Sequence, residues 1–126
     1  MRNRLVLIPE SWCTKVCQIL DDASRVGAEI RPDVFSRWQQ LFAGVPVTTR
    51  HLTAIVSEVL KSGNVKGVRI TAMKVKGGKP DPGEVYEFVF PVQVGGEKSA
   101  YVKISLRLKD NIVYFYSAHE AEKPYL

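Results

Sequence analysis

The residues of this chain that are best suited to chemistry lie in its C-terminal half, within stretches of alternating sequence. They are Glu87, Tyr101, Lys103 and His119. A carboxylate can take the proton of a ribose 2′-hydroxyl, a histidine can protonate the leaving 5′-oxygen, and a lysine can hold the phosphate while charge develops on it. Tyr101 can orient the phosphate or stack on a base. If these side chains share one surface, the set predicts cleavage of RNA.

Two of the strands that must position these residues have one apolar and one polar face. In the stretch 100–108, apolar residues alternate with Tyr101, Lys103, Ser105 and Arg107. In the stretch 85–94 the same alternation separates Glu87 from an apolar set formed by Tyr86, Phe88, Phe90, Val92 and Val94. Successive side chains of a strand point to opposite faces, so these strands predict one open, polar face.

The last strand, about 112–118, is ambiguous because aromatic and aliphatic residues occupy both of its faces. A three-residue loop, Lys109 to Asn111, with Asn111 in a left-handed conformation, pairs Leu108 with Ile112 and keeps both inside. This register places Ser117 opposite Lys103 and His119 opposite Tyr101. A two-residue turn would instead direct His119 to the core. The polarity of Ser117 and His119 favours the three-residue loop.

The net charge of +5 is unevenly distributed, because no acidic residue lies between Lys66 and Lys79. Arg69, Lys74 and Lys76 in this stretch are candidate phosphate ligands. A solvated edge strand that lysines protect from aggregation explains the same stretch, and both interpretations remain open.

Helical periodicity precedes the strands and predicts three amphipathic helices. They start from Pro9 onward, after Pro32 and at Thr48 or Thr49, and they occupy about 9–63, after a short edge strand at Leu5–Ile8. Four strands follow over about 66–119, beginning at 67–76, and a tail spans 120–126. We therefore predict a single α+β domain over 1–126, with three N-terminal helices on one face of a four-stranded antiparallel sheet.

The remaining reactive side chains predict structure rather than chemistry. Cys13 and Cys17, four residues apart on one helix face, are expected to be reduced core thiols, and no zinc site or other cofactor is predicted. Both tryptophans are expected in the core, and His51 is expected to be an exposed residue of a first helical turn. No apolar stretch approaches the roughly 20 residues of a membrane span, and the N-terminal apolar run is too short for a signal peptide. These features predict a cytoplasmic protein that contacts no membrane.

Two segments of the C-terminal half resemble the closing strands of the Barnase–EndoU–colicin–RelE superfamily of small ribonucleases, most nearly the MqsR-type messenger-RNA interferase toxins. The first runs Ala100-Tyr101-Val102-Lys103-Ile104-Ser105-Leu106, and the second runs from Ile112 to Ser117-Ala118-His119-Glu120. The family pattern is a Tyr-x-Lys-Ile strand, a hairpin, and a last strand that ends in Ser-x-Lys or Ser-x-His. The resemblance covers about residues 85–121. The helical segment is longer than is usual, and a Glu with a His is closer to barnase than to the Lys-rich MqsR arrangement.

The resemblance implies metal-independent RNA cleavage through a 2′,3′-cyclic phosphate. It implies Glu87 as general base, His119 as general acid, and Tyr101 and Lys103 as the matched Tyr-x-Lys residues. Phosphate would be held by Lys103, Arg107 and one of Lys74 or Lys76, with Arg69 and Ser117 as further candidates. It also implies an antitoxin or immunity partner that covers the active face.

Two other functions fit the same residues. A non-catalytic RNA- or DNA-binding module would use the cations and tyrosines to bind phosphates and bases without cutting them. A small-ligand or protein-interaction domain would enclose a pocket between the helices and a curved sheet, which requires His119 and Tyr116 to point inward. The direction of these two side chains discriminates between the alternatives.

Overall fold

A computed structural model describes residues 4–24, 26–43, 45–75 and 77–126. The described residues form three helices, α1 (Glu10–Asp21), α2 (Pro32–Leu41) and α3 (Thr49–Lys61), and one sheet. The strands are β1 (Leu5–Leu7), β2 (Ala28–Ile30), β3 (Lys66–Ile70), β4 (Glu84–Gln93), β5 (Glu97–Arg107) and β6 (Ile112–Glu120). Their spatial order is β1-β3-β4-β5-β6-β2.

The sheet has six strands and is mixed, so the predicted four-stranded antiparallel sheet is wrong. The strand that the sequence did not predict is β2, which runs parallel to β6 at the edge of the sheet. Three residues are too short to show a period, and β2 is held largely by its neighbours: the amide of Val113 donates to the carbonyl of Gly27 at 2.7 Å. A Cβ at Gly27 would lie 2.7 Å from the carbonyl oxygen of Asn111, so this close approach requires glycine. The class α+β, the three helices and the N-terminal edge strand are as predicted.

The three amphipathic helices cover one face of the sheet and enclose the core. Trp38 is fully buried, and Trp12 is 3% exposed and donates from Nε1 to the carbonyl of Glu84 at 3.1 Å. Both tryptophans are therefore core residues, as predicted. Cys13 and Cys17 are free, buried thiols, and burial raises the pKa of Cys13 to about 11. That pKa keeps Cys13 protonated and unreactive at neutral pH.

His51 does not have the exposed position that the sequence predicts. Thr48 caps α3 by accepting from the amide of His51 at 3.3 Å, and the imidazole then packs against α2. Its Nδ1 accepts a hydrogen bond from Nε1 of Trp38 at 3.1 Å, and burial lowers its pKa. His51 is thus a neutral acceptor that satisfies a core tryptophan, on the helical side of the sheet.

A bulge in β6 sets the direction of the last side chains. Leu106 pairs with Val113 and Ile104 with Phe115, but Lys103 pairs with Ser117, so Tyr116 is an extra residue. Before the bulge Val113 and Phe115 face the core.

The prediction that Leu108 and Ile112 lie inside is wrong. Leu108 is 58% exposed and begins the 3₁₀ turn Leu108–Asp110, which is capped by Asn111 in the predicted left-handed conformation. Beyond the bulge the facing reverses. Ser117 is therefore opposite Lys103 and His119 opposite Tyr101, as predicted.

The stability of two alanine variants tests this register. Val113→Ala removes two methyl groups from a fully buried site and should lower the free energy of unfolding by about 2 kcal/mol. Leu108→Ala should change it by no more than about 0.5 kcal/mol, because Leu108 is exposed. Urea denaturation measures both, and a larger loss for Leu108→Ala would contradict the bulged register.

Candidate functional site

The candidate site lies on the face of the sheet opposite the helices, which we call the open face. The described residues of the loop 71–83, namely 71–75 and 77–83, fold over part of it, where Val85 and Ser105 are buried although they point away from the helical core. Gly83 allows the close approach, because a Cβ there would lie 2.3 Å from the carbonyl oxygen of Leu106. We call this part the covered half of the open face.

Asp81 fastens the loop to the covered half. Its side chain is 2% exposed, and its carboxylate accepts hydrogen bonds from Ser105 Oγ at 2.6 Å, Arg107 Nη2 at 2.8 Å and the hydroxyl of Tyr116. The amide of Gly83 also donates to it at 2.7 Å. Burial acts to raise the pKa of Asp81, but the hydrogen bonds outweigh it and lower the pKa to about 2. Asp81 is therefore a charged, almost fully buried anchor.

Arg107, a predicted phosphate ligand, is engaged in this anchor. Its side chain is 15% exposed, it forms the ion pair with Asp81, and its guanidinium lies 4.5 Å from the ring centroid of Tyr114. A guanidinium that is already neutralised by a carboxylate has little attraction left for phosphate. The structure therefore gives Arg107 a role in holding the loop.

The pKa of Asp81 predicts a loss of stability in acid. An aspartate in the unfolded chain titrates near a pKa of about 3.9, whereas the folded-state pKa is about 2. A lowered pKa contributes stability that is fully present above about pH 4 and is lost as the pH falls toward 2. Acid unfolding followed by tryptophan fluorescence should show this decline, and Asp81→Asn should weaken the pH dependence in that window. An unchanged dependence in Asp81→Asn would contradict the assignment.

The other part of the open face, the exposed half, holds five of the predicted site residues in two cross-strand rows. Glu87, Lys103 and Ser117 form one row across β4, β5 and β6. Val89, Tyr101 and His119 form the next. Glu87 and His119 are thus two strands apart and one row apart, which corresponds to about 10 Å across the sheet and about 7 Å along it.

Tyr101 connects the two residues predicted to act as base and acid. Its hydroxyl donates to Glu87 Oε2, and its ring stacks on the His119 ring with centroids 5.1 Å apart and 25° between the planes. Burial and the neighbouring Glu87 raise the pKa of Tyr101, so its hydroxyl stays protonated and remains a donor. This leaves Glu87 Oε1 to accept a proton from a ligand.

The hydrogen bond of the His119 ring identifies which of its two nitrogens carries a hydrogen. Nδ1 lies 2.8 Å from the carbonyl oxygen of Glu120. A carbonyl can only accept, so Nδ1 carries a hydrogen and Nε2 is the nitrogen that gains or loses a proton. The carbonyl of Glu120 thereby keeps one hydrogen on Nδ1, so that a general acid at this residue is the imidazolium form, which carries its second hydrogen on Nε2.

The predicted cations occupy different places. Lys103 lies on the exposed half and forms no ion pair with any described residue. Arg69 is paired with Tyr86, a core residue, so it lies on the helical face and away from Glu87. Lys74 is exposed in the loop 71–83, bridged to Pro80. Lys76 lies outside the described residues.

No pattern in the sequence predicted the contacts of Asp81 and Tyr116. Asp81 lies between two prolines, a pattern that is typical of a turn. Tyr116 occupies a position that strict alternation assigns to the core. One signal was present, namely the length of the loop, since a long loop without secondary structure is usually packed on the surface or functional.

The described parts of the chain contain no cluster of three or more His, Cys, Asp or Glu side chains suited to a metal ion. Over the same residues, no helix is long and apolar enough to cross a membrane. In comparisons with known proteins, no family model, curated protein or solved structure matches the chain.

Proposed function

We propose that this chain is a metal-independent endoribonuclease that acts on cytoplasmic RNA through the exposed half of the open face. The observation that carries the proposal is the linkage of Glu87, Tyr101 and His119, in which one tyrosine binds the carboxylate and stacks on the imidazole. Lys103, in the same row as Glu87, supplies a cation that no described carboxylate pairs with. A base, an acid and a phosphate ligand are therefore neighbours on one surface.

The proposed reaction uses these groups in one transfer. Glu87 Oε1 takes the proton of the ribose 2′-hydroxyl, and the 2′-oxygen attacks the phosphorus. The bond from phosphorus to the 5′-oxygen breaks, and His119 Nε2 gives its proton to that oxygen. The products are a 2′,3′-cyclic phosphate and a 5′-hydroxyl. Lys103 stabilises the charge on the phosphate oxygens during the transfer.

The sequence resemblance to MqsR-type toxins supports the same assignment. The resemblance also implies a protein partner. An antitoxin or immunity protein that covers the exposed half would block access of RNA to Glu87 and His119. One of the two alternatives, a ligand pocket between helices and sheet, requires His119 and Tyr116 to point inward. Instead, His119 stacks on Tyr101 and Tyr116 binds Asp81, and both contacts are on the open face. These contacts count against the pocket alternative.

Cleavage of a labelled RNA in the presence of EDTA tests the proposal. We expect fragments that end in a 2′,3′-cyclic phosphate, identified by mass spectrometry, and no cleavage where the attacking 2′-hydroxyl is replaced by hydrogen. Intact RNA after incubation with the purified chain would overturn the nuclease assignment. RNA that is bound in a salt-dependent manner but remains uncut, with binding that survives loss of His119, would establish the non-catalytic alternative.

A further inference from the structure

The last residues of the chain, 121–126, form one wall of a cleft beside the Tyr101–His119 stack. The amide of Ala121 donates to the carbonyl of Ser99 at 2.8 Å, which fixes the start of this tail beside the first residues of β5. The cleft has a volume of about 530 Å³. Its lining includes Tyr101, Ser117 and His119 on the sheet side, and Glu122, Lys123 and Tyr125 on the tail side. Clefts of this size hold small planar ligands.

The side chains of the cleft match the parts of a nucleotide. Its floor is the stacked pair of Tyr101 and His119, and the ring of Tyr125 is 66% exposed at the opposite wall. The exposed ring of Tyr125 is a favourable stacking partner for an unpaired base. The Ser117 hydroxyl can donate to or accept from the edge of a base, and Lys123 can bind a backbone phosphate.

From these features we infer that the cleft is a subsite for an unpaired RNA base next to the cleaved phosphate, closed on one side by Tyr125. The inference rests on the proposed function, because Glu87 and His119 fix where the phosphate lies and Tyr101 and His119 belong to both sites. The tail is thereby part of the substrate-binding surface. A second recess of about 470 Å³ lies beside the tail against Val59 and Phe90, so the tail stands as a separate wall between two depressions.

The inference is tested with a short single-stranded RNA that is 2′-O-methylated throughout, so that it cannot be cut, and that carries 2-aminopurine as a fluorescent base. Stacking in the cleft should quench the 2-aminopurine fluorescence on binding. Loss of one base–aromatic stack corresponds to a decrease of about 5- to 150-fold in affinity. We therefore expect Tyr125→Ala to weaken binding within this range and to abolish the quenching, whereas Tyr125→Phe keeps both.

Leu108→Ala is the matched control, because Leu108 is a similarly exposed large apolar residue at the far end of β5. Circular dichroism shows whether each variant is folded. Binding and quenching by Tyr125→Ala that equal those of the unaltered chain would overturn the subsite, even if cleavable RNA is cut. Quenching that depends on Tyr125 in a chain that leaves cleavable RNA intact would support the subsite and overturn the nuclease. Failure of the unaltered chain to bind the oligonucleotide would overturn the subsite, whereas cutting of cleavable RNA decides the nuclease assignment separately.

Discussion

Replacing His119 by alanine is expected to slow RNA cleavage by about 100- to 10,000-fold, the usual contribution of a positioned general acid or base. The imidazole is held by the Tyr101 ring and by the carbonyl of Glu120, so its removal takes away the proton donor without disturbing the core. Glu87→Gln should cause a loss of the same order, since an amide keeps a similar shape but cannot take the proton of the 2′-hydroxyl. Initial rates on a labelled RNA measure both effects.

Matched substitutions separate chemistry from folding in this experiment. Glu84→Gln changes a carboxylate on the same strand as Glu87 but outside its row, and His51→Gln changes the other histidine of the chain while keeping an acceptor for Trp38. Both should cut RNA at close to the unaltered rate. Expression in cells gives a second measure, because Glu87→Gln and His119→Ala should relieve any toxicity. Unchanged cleavage by both Glu87→Gln and His119→Ala would refute the assignment of Glu87 as base and His119 as acid.

Tyr101 links the proposed base and acid, but it is a positioning residue in this scheme. Tyr101→Phe keeps the ring that stacks on His119 and loses only the hydrogen bond to Glu87. A smaller loss of rate, accompanied by a change in the pH profile, is therefore expected. The smaller loss of rate distinguishes Tyr101 from a residue that transfers a proton in the reaction.

The sequence predicted the two-faced strands well because their alternation is strict. In β5, Val102 and Ile104 are fully buried while Tyr101 and Lys103 are half-buried on the open face, as the period of two requires. The helices were predicted equally well. In α3, for example, apolar residues recur at helical spacing and a threonine caps the first turn. The same alternation brought Glu87, Lys103 and Tyr101 together correctly.

β6 and β2 show where such reasoning fails. Ile112 to Tyr116 carries bulky apolar or aromatic residues on both faces, so polarity cannot identify the core side, and one bulged residue reverses the facing midway. The prediction placed Ser117 and His119 correctly although it had the first half of the strand reversed. β2 is stabilised by its contacts with β6 and Asn111 rather than by its own residues, and a local pattern does not contain that information.

Removing the carboxylate of Asp81 is expected to lower the free energy of unfolding by about 3 kcal/mol, because Asp81→Ala leaves the largely buried Arg107 without its counter-ion. Ser105 and Tyr116 lose their acceptor at the same time, so the effect exceeds that of a single hydrogen bond. Chemical denaturation measures the change, and protease cleavage within 71–83 should become faster as the loop detaches from the sheet.

Asp33→Ala is a sharp control for this prediction because Arg31 and Asp33 also pair at 2.8 Å, with both side chains more than half exposed. The two ion pairs have the same shortest N···O distance but differ in burial, and the exposed pair leaves no buried charge behind when its carboxylate is removed. Asp33→Ala should therefore change stability far less. Similar losses for the two variants would show that Asp81 is not a buried anchor. If Asp81→Ala also weakens RNA binding while Glu87 and His119 are intact, then the fastened loop, which carries Lys74, contributes to the substrate surface. The covered half of the open face would then support the exposed half electrostatically as well as mechanically.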